Sequence, residues 1–131
     1  MSLYTERILE HAKHPRKFGR MVDPDLKCEQ VNPLCGDRIR VELRLAPNRR
    51  IEEVRFSGEM CAIAKASASL LFESLEGMTP ATITELSDGR VLENLGGPIS
   101  SNRVGCALLP LIALRRAIQS GDSRVTSETD H

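Results

Sequence analysis

Residues 37–58 read DRIRVELRLAPNRRIEEVRFSG, and this stretch decides the fold. In its first part, apolar side chains alternate with charged ones, as they do on a strand with one buried face. The apolar set is Ile39, Val41, Leu43 and Leu45. The polar turn APNRR follows, and a second alternating run extends from Ile51 to near Gly58. Two such runs joined by a short polar turn predict an antiparallel hairpin.

The flanking segments complete the pattern of elements. Before the hairpin, residues 3–13 predict a helix that Pro15 ends, and residues 26–32 predict a weaker strand. After the hairpin, helical patterns lie at 61–77, from Thr79, at 91–97 and at 101–121. Pro110, inside the last of these, predicts a kink or a late helix start.

Strands first and helices after indicate an α+β domain. We expect a small three-stranded antiparallel sheet with helices packed on one face. The length of 131 residues suits one domain. The apolar pattern predicts a single domain at 1–120 and a flexible C-terminal tail at 121–131.

Composition excludes several classes of function. Basic and acidic residues number 18 each, and aromatic residues make up 3% of the chain, which argues against nucleic acid as a partner. No apolar run is long enough to cross a bilayer, and the charged N-terminus does not resemble a signal peptide. We therefore expect a cytoplasmic protein without a membrane partner. Its four cysteines should be thiols or metal ligands rather than disulfides.

Three cysteines lie at junctions between elements. Cys35 lies in the loop NPLCGD, where the proline and glycine shape the backbone and surface exposure is expected. Cys61 lies where strand becomes helix, and Cys106 lies near the start of the last helix, three residues after Arg103. Helix N-termini and a nearby guanidinium favour a thiolate. The alternative for each cysteine is a small buried core residue.

A carboxylate accompanies these thiols. Asp37 has the strand parity of Ile39, so it faces the core and needs a partner, which a helix cap or an arginine would also supply. Three thiolates and one carboxylate can complete a tetrahedral Zn²⁺ site or hold a two-iron cluster. Because a hard oxygen binds a cluster less firmly than sulfur does, such a site would release its cluster readily. Elsewhere, we interpret Cys28 as a buried structural thiol and the pair His11 and His14 as packing or solvated residues.

The motifs resemble those of iron–sulfur cluster assembly scaffolds of the IscU and NifU N-terminal family, most closely the SufU branch. NPLCGD is similar to the first cysteine motif of that family, FSGEMCAIAKASAS to the second and RVGCALL to the third. The N-terminal ILEHAKHPRKFG is similar to its first helix and turn. The three motifs occur in register, and the match runs from the first helix to about Ser120.

The resemblance implies a SufE/NifU-like fold and a site of Cys35, Asp37, Cys61 and Cys106. It implies that a cysteine desulfurase (SufS/IscS/NifS-like) passes persulfide sulfur to Cys35. It further implies that the site holds iron, a transient [2Fe–2S] cluster or Zn²⁺, and that apo iron–sulfur proteins accept the cluster. Whether the protein builds clusters or is a zinc-dependent sulfurtransferase stays open, as does a purely structural metal domain.

The sequence also departs from the family pattern. Gly105 stands where the IscU branch has a histidine, and PISSNRVG replaces its chaperone-recognition motif LPPVK. The segment between Cys61 and Cys106 is too short for the insertion of the SufU branch. Pro110 interrupts a helix that the family keeps regular, so its effect on the position of Cys106 stays open.

Overall fold

The structure is a computed structural model that describes residues 3–123. Its helices are α1 (Leu3–Lys13), α2 (Ala62–Phe72), α3 (Pro80–Thr84), α4 (Asp88–Asn94) and α5 (Val104–Ser123), with a 3₁₀ turn at Ser101–Arg103. Its strands are β1 (Leu26–Asn32), β2 (Asp37–Leu45) and β3 (Ile51–Ser57).

The three strands form one antiparallel sheet in the order β1–β2–β3. Val41 in the central strand pairs with Cys28 on one side and with Phe56 on the other. Paired residues point to the same face, so the alternating apolar residues of the hairpin share one face with Cys28. The structure confirms the predicted α+β class and the three-stranded sheet.

Helices α2 and α5 cover this apolar face. The core lies between the sheet and the two helices, and α1 packs against the far side of α2. The large buried residues of this core include Val41, Leu43, Phe56, Phe72, Leu111 and Leu114. None of the helices in the described part of the chain is long and apolar enough to cross a membrane.

Helix α2 is shorter than the sequence predicts. The pattern at 61–77 indicates a helix that Gly77 ends, but α2 ends at Phe72. The reason lies in the sheet: the N–H of Gly77 donates to the carbonyl of Ile51 at 2.8 Å, and the N–H of Ile51 donates to the carbonyl of Met78 at 2.8 Å. Because this stretch is bound to the start of β3, it cannot continue the helix.

Other expectations differ in detail. Pro110 lies inside α5, which runs continuously from Val104. On α1, Leu9 is exposed and His11 is buried instead, with Nδ1 2.6 Å from the Ser69 hydroxyl. The division into a domain at 1–120 and a tail at 121–131 stays a prediction, because residues 124–131 lie outside the described part.

Candidate metal centre

Four predicted site residues lie at one end of the sheet. Cys35 lies in the loop 33–36 that joins β1 to β2, and Asp37 is the first residue of β2. Cys61 is the N-cap of α2. Cys106 lies in the first turn of α5. Strand pairing and helix packing therefore bring together residues that are far apart in sequence.

Gly58 allows the second cysteine to reach this end of the sheet. Its φ is +130°, and a Cβ there would lie 2.2 Å from the carbonyl oxygen of Arg38. Only a glycine lets the chain leave β3 so close to β2. The N–H of Arg38 then donates to the carbonyl of Glu59 at 2.7 Å. This crossing places Cys61 beside Asp37.

The closest grouping joins two sulfurs and a carboxylate. The Sγ atoms of Cys35 and Cys106 are 3.3 Å apart. Ligand atoms of Cys35, Asp37 and Cys106 all lie within 4.8 Å of one another. They line an open cleft of about 570 Å³. Cys35 is exposed at its mouth, whereas the other two are buried.

Asp37 is 6% exposed and has one oxygen to spare. Oδ1 accepts a hydrogen bond from the N–H of Cys61 at 3.0 Å, which is the capping role left open by the sequence. Oδ2 is buried and receives no hydrogen bond from any residue within 3–123. Buried polar oxygens without a partner are rare, and a bound cation satisfies one. Soft sulfur and a free carboxylate oxygen fit zinc or iron.

Cys61 lines the same cleft, but its sulfur is outside the group of three mutually close ligand atoms. It still lies near enough to Cys106 for its charge to raise the pKa of that thiol. The structure thus brings Cys35, Asp37 and Cys106 into one group and places Cys61 at its side. The complete four-ligand set stays a prediction.

The expected ionisation of Cys106 is wrong. The sequence suggested that the helix N-terminus and Arg103 favour its thiolate. Instead, burial, the hydrogen bond with Cys35 and the charge of Cys61 raise the pKa of Cys106 from 9.0 to about 12. Cys106 is 2% exposed, whereas Arg103 extends into solvent. Without a metal, Cys106 is therefore a neutral thiol at neutral pH.

Sequence reasoning missed Asn32. This residue lines the cleft and accepts hydrogen bonds from the loop that carries Cys35. The signal was present in the Asn–Pro dipeptide, which often begins a turn. The other candidates lie apart from the cleft lining. Cys28 on β1 packs against the core but is half-buried rather than buried, and His11 links α1 to α2 through its hydrogen bond with Ser69.

The fold and the three cysteine motifs together define the class of protein to which the chain belongs. The chain matches the family described as NifU-like N terminal domain over residues 3–128, and it belongs to this family. The family resemblance inferred from the three cysteine motifs is thereby confirmed.

The curated relatives carry related names. The chain is 36% identical over 121 residues to the bifunctional protein NifU/MnmA of Rubrobacter xylanophilus, covering 92% of this chain and 25% of that protein. It is 33% identical over 116 residues to iron-sulfur cluster assembly scaffold protein IscU 1 of Archaeoglobus fulgidus, covering 88% and 74%. It is 36% identical over 86 residues to the zinc-dependent sulfurtransferase SufU of Bacillus subtilis, covering 66% and 57%. The chain thus spans a quarter of the Rubrobacter protein.

Solved structures share the fold. A NifU-like protein (N-terminal) from Brucella abortus superposes with a TM-score of 0.76 at 21% identity, covering 93% of this chain and 96% of that one. The Fervidobacterium islandicum protein FiSufU superposes with a TM-score of 0.73 at 22% identity, covering 90% of this chain and 96% of that one. These likenesses support the architecture of sheet and helices described above.

Proposed function

We propose that this protein is a sulfur acceptor and iron–sulfur cluster assembly scaffold that works with a cysteine desulfurase. One observation carries the proposal: an exposed cysteine, Cys35, lies 3.3 Å from the buried sulfur of Cys106 and within 4.8 Å of a carboxylate oxygen of Asp37. A reactive sulfur at the surface and a metal-fitting group directly beneath it are what sulfur delivery onto a metal requires. The cytoplasm, where thiols stay reduced, suits this chemistry.

Sulfur transfer uses the exposed position of Cys35. The Cys35 thiolate attacks the outer sulfur of the persulfide on the desulfurase. A new S–S bond forms at Cys35, the S–S bond of the donor breaks, and the desulfurase cysteine leaves as a thiolate. Access is good, because the preceding residue, Leu34, is 95% exposed. Cys106 is too buried to be attacked or to attack in this way.

The metal would be held by Cys35, Asp37, Cys61 and Cys106. When bound, Zn²⁺ or iron supplies a positive charge that keeps these sulfurs ionised. Cys106 would give up its proton on binding, since it is neutral without metal. Asp37 would contribute the hard oxygen that makes a [2Fe–2S] cargo easier to release to apo iron–sulfur proteins.

A zinc-dependent sulfurtransferase that never builds a cluster is the second candidate. The observation in its favour is Gly105, which places no side chain beside Cys106 where the IscU branch has a histidine. The two candidate functions differ in whether the protein binds a cluster or zinc after incubation with the desulfurase. A scaffold becomes brown with iron, sulfide and reductant and then passes the cluster on, whereas a sulfurtransferase stays colourless with zinc and stimulates desulfurase turnover.

The deciding experiment is metal and sulfide analysis of protein purified without oxygen, with and without a desulfurase and cysteine. Mass spectrometry of the same samples should find one added sulfur atom on Cys35. Cys35→Ser should abolish this addition and the stimulation of the desulfurase. Cys28→Ser is the matched control, because Cys28 lies outside the cleft, and it should change neither.

Intact desulfurase stimulation and cluster assembly in Cys35→Ser would refute sulfur acceptance by this residue. Such a result would favour a structural metal domain that binds a partner. Structural zinc sites are usually closed sets of cysteine and histidine, whereas this site includes a carboxylate and a loop cysteine.

A further inference from the structure

The backbone of the loop that carries Cys35 is hydrogen-bonded to Asn32. The side-chain oxygen of Asn32 accepts a hydrogen bond from the N–H of Leu34 at 3.1 Å. The backbone carbonyl of Asn32 accepts from the N–H of Cys35 at 3.3 Å and from that of Gly36 at 2.8 Å. All three N–H groups of the loop therefore donate to oxygens of Asn32, since Pro33 has none.

The rest of the loop makes few contacts that would fix it. Leu34 extends into solvent. Around Gly36, no described atom lies within 4 Å of the position that a Cβ would take. Gly36 has a φ of +77°, which completes the turn back to β2. Among the hydrogen bonds within residues 3–123, the turn at Asn32 and the contact between the sulfurs of Cys35 and Cys106 are those that locate the first cysteine.

Asn32 also contacts the element that carries the other sulfur. Its Nδ2 lies 3.3 Å from the position that a Cβ on Gly105 would take. The amide therefore packs against the backbone directly before Cys106, in space that a larger residue at 105 would occupy. Asn32 touches both the loop of Cys35 and the start of α5.

We propose that Asn32 is a positioning residue that sets the separation of the Cys35 and Cys106 sulfurs. The turn made by its oxygens fixes the loop, and its amide fits against Gly105. This inference rests on the proposed function only in that these two sulfurs form part of the acceptor site. Asn32 itself makes no bond to sulfur or metal in this role.

The separation of two sulfurs can be measured as an effective concentration. Metal-free full-length protein is equilibrated with mixtures of reduced and oxidised glutathione. Two protein thiols and one oxidised glutathione give one protein disulfide and two reduced glutathiones. Peptide mapping by mass spectrometry then quantifies the disulfide that joins Cys35 to Cys106.

Asn32→Ala should lower this effective concentration about fivefold, equivalent to about 1 kcal/mol for one lost hydrogen bond. Asn32→Asp keeps the side-chain acceptor for the N–H of Leu34, so it should recover most of the loss. The matched control is Asn48→Ala. In the β2–β3 turn, the Asn48 side chain accepts from the N–H of Arg50 at 3.1 Å, with the same spacing as in the Cys35 loop. This control should leave the effective concentration unchanged.

The inference is overturned if Asn32→Ala stays within twofold of the unchanged chain, or if Asn48→Ala loses as much. The assay uses neither metal nor desulfurase, so a negative result leaves sulfur acceptance at Cys35 untouched. Conversely, if the unchanged chain takes no sulfur from a desulfurase, the proposed function fails while this result stands.

Discussion

Replacing Gly58 by alanine tests how the chain reaches the cleft. The added Cβ would lie 2.2 Å from the carbonyl oxygen and 3.0 Å from the carbonyl carbon of Arg38. Both atoms belong to the backbone of the central strand, so no side-chain rotation relieves the overlap. The backbone must move, and the φ of +130° adds strain of its own. We expect a loss of about 3 kcal/mol in the free energy of unfolding.

Gly77→Ala is the matched control. Gly77 has a φ of +92°, but no described atom beyond the glycine and its two chain neighbours lies within 4 Å of its added Cβ. The free energy of unfolding of Gly77→Ala should therefore fall only by the cost of the strained backbone conformation, about 1 kcal/mol. Urea denaturation of metal-free protein at fixed pH measures both variants. If the slopes are unchanged, the midpoint should fall about three times as far in Gly58→Ala as in Gly77→Ala.

Equal midpoints in the two variants would refute this reasoning. They would mean that the approach of Gly58 to Arg38 imposes no close contact. A changed slope with an unchanged midpoint would count against it in the same way, because it would indicate a change in exposed surface rather than a strained native state.

Three further predictions concern the site itself. Asp37→Ala should slow cluster transfer to an apo-ferredoxin about tenfold, because the hard oxygen is lost, and an unchanged rate would remove Asp37 from the site. Burial first, and then the Cys35 hydrogen bond, raises the pKa of Cys106 to about 12, above its ordinary 9.0. The stabilisation from the neutral thiol is therefore present below pH 9 and lost as the pH rises toward 12. Urea midpoints should fall over this pH range in the unchanged chain, and they should fall less steeply in Cys106→Ala. Gly36→Ala should destabilise the fold as much as Gly77→Ala does. Chelator competition, which measures zinc affinity, should show about fivefold weaker binding in Gly36→Ala and no change in Gly77→Ala.

Most of the fold could be predicted from local sequence patterns. The alternation of the hairpin gave β2 its bounds, and the pair Thr79 and Pro80 marked the start of α3, where the Thr79 side chain accepts from the N–H of Thr82. Parity also placed Asp37 on the buried face, where the structure has it. These features depend on neighbours in sequence, so the sequence alone was sufficient.

Features that depend on distant contacts were harder to predict. The end of α2 depends on the hydrogen bonds that join Gly77 and Met78 to Ile51, and the pKa of Cys106 depends on its depth in the fold. A helix N-terminus beside an arginine predicts a thiolate only when the thiol stays near solvent. The sequence showed the junction but did not show that residue 106 is buried beneath Cys35.

Pro110 shows how a proline can lie inside a helix without delaying the start of that helix. A proline has no N–H, so the carbonyl of Cys106, four residues earlier, cannot receive the usual helical hydrogen bond from it. Yet α5 is continuous, and the sulfur of Cys106 lies 3.3 Å from that of Cys35. A neighbouring helix offers the reason: the buried hydroxyl of Ser67 on α2 donates to the carbonyl of Ala107 at 2.6 Å. The first turn of α5 is thus held by α2 as well as by its own hydrogen bonds, so the third cysteine stays in the cleft despite the proline.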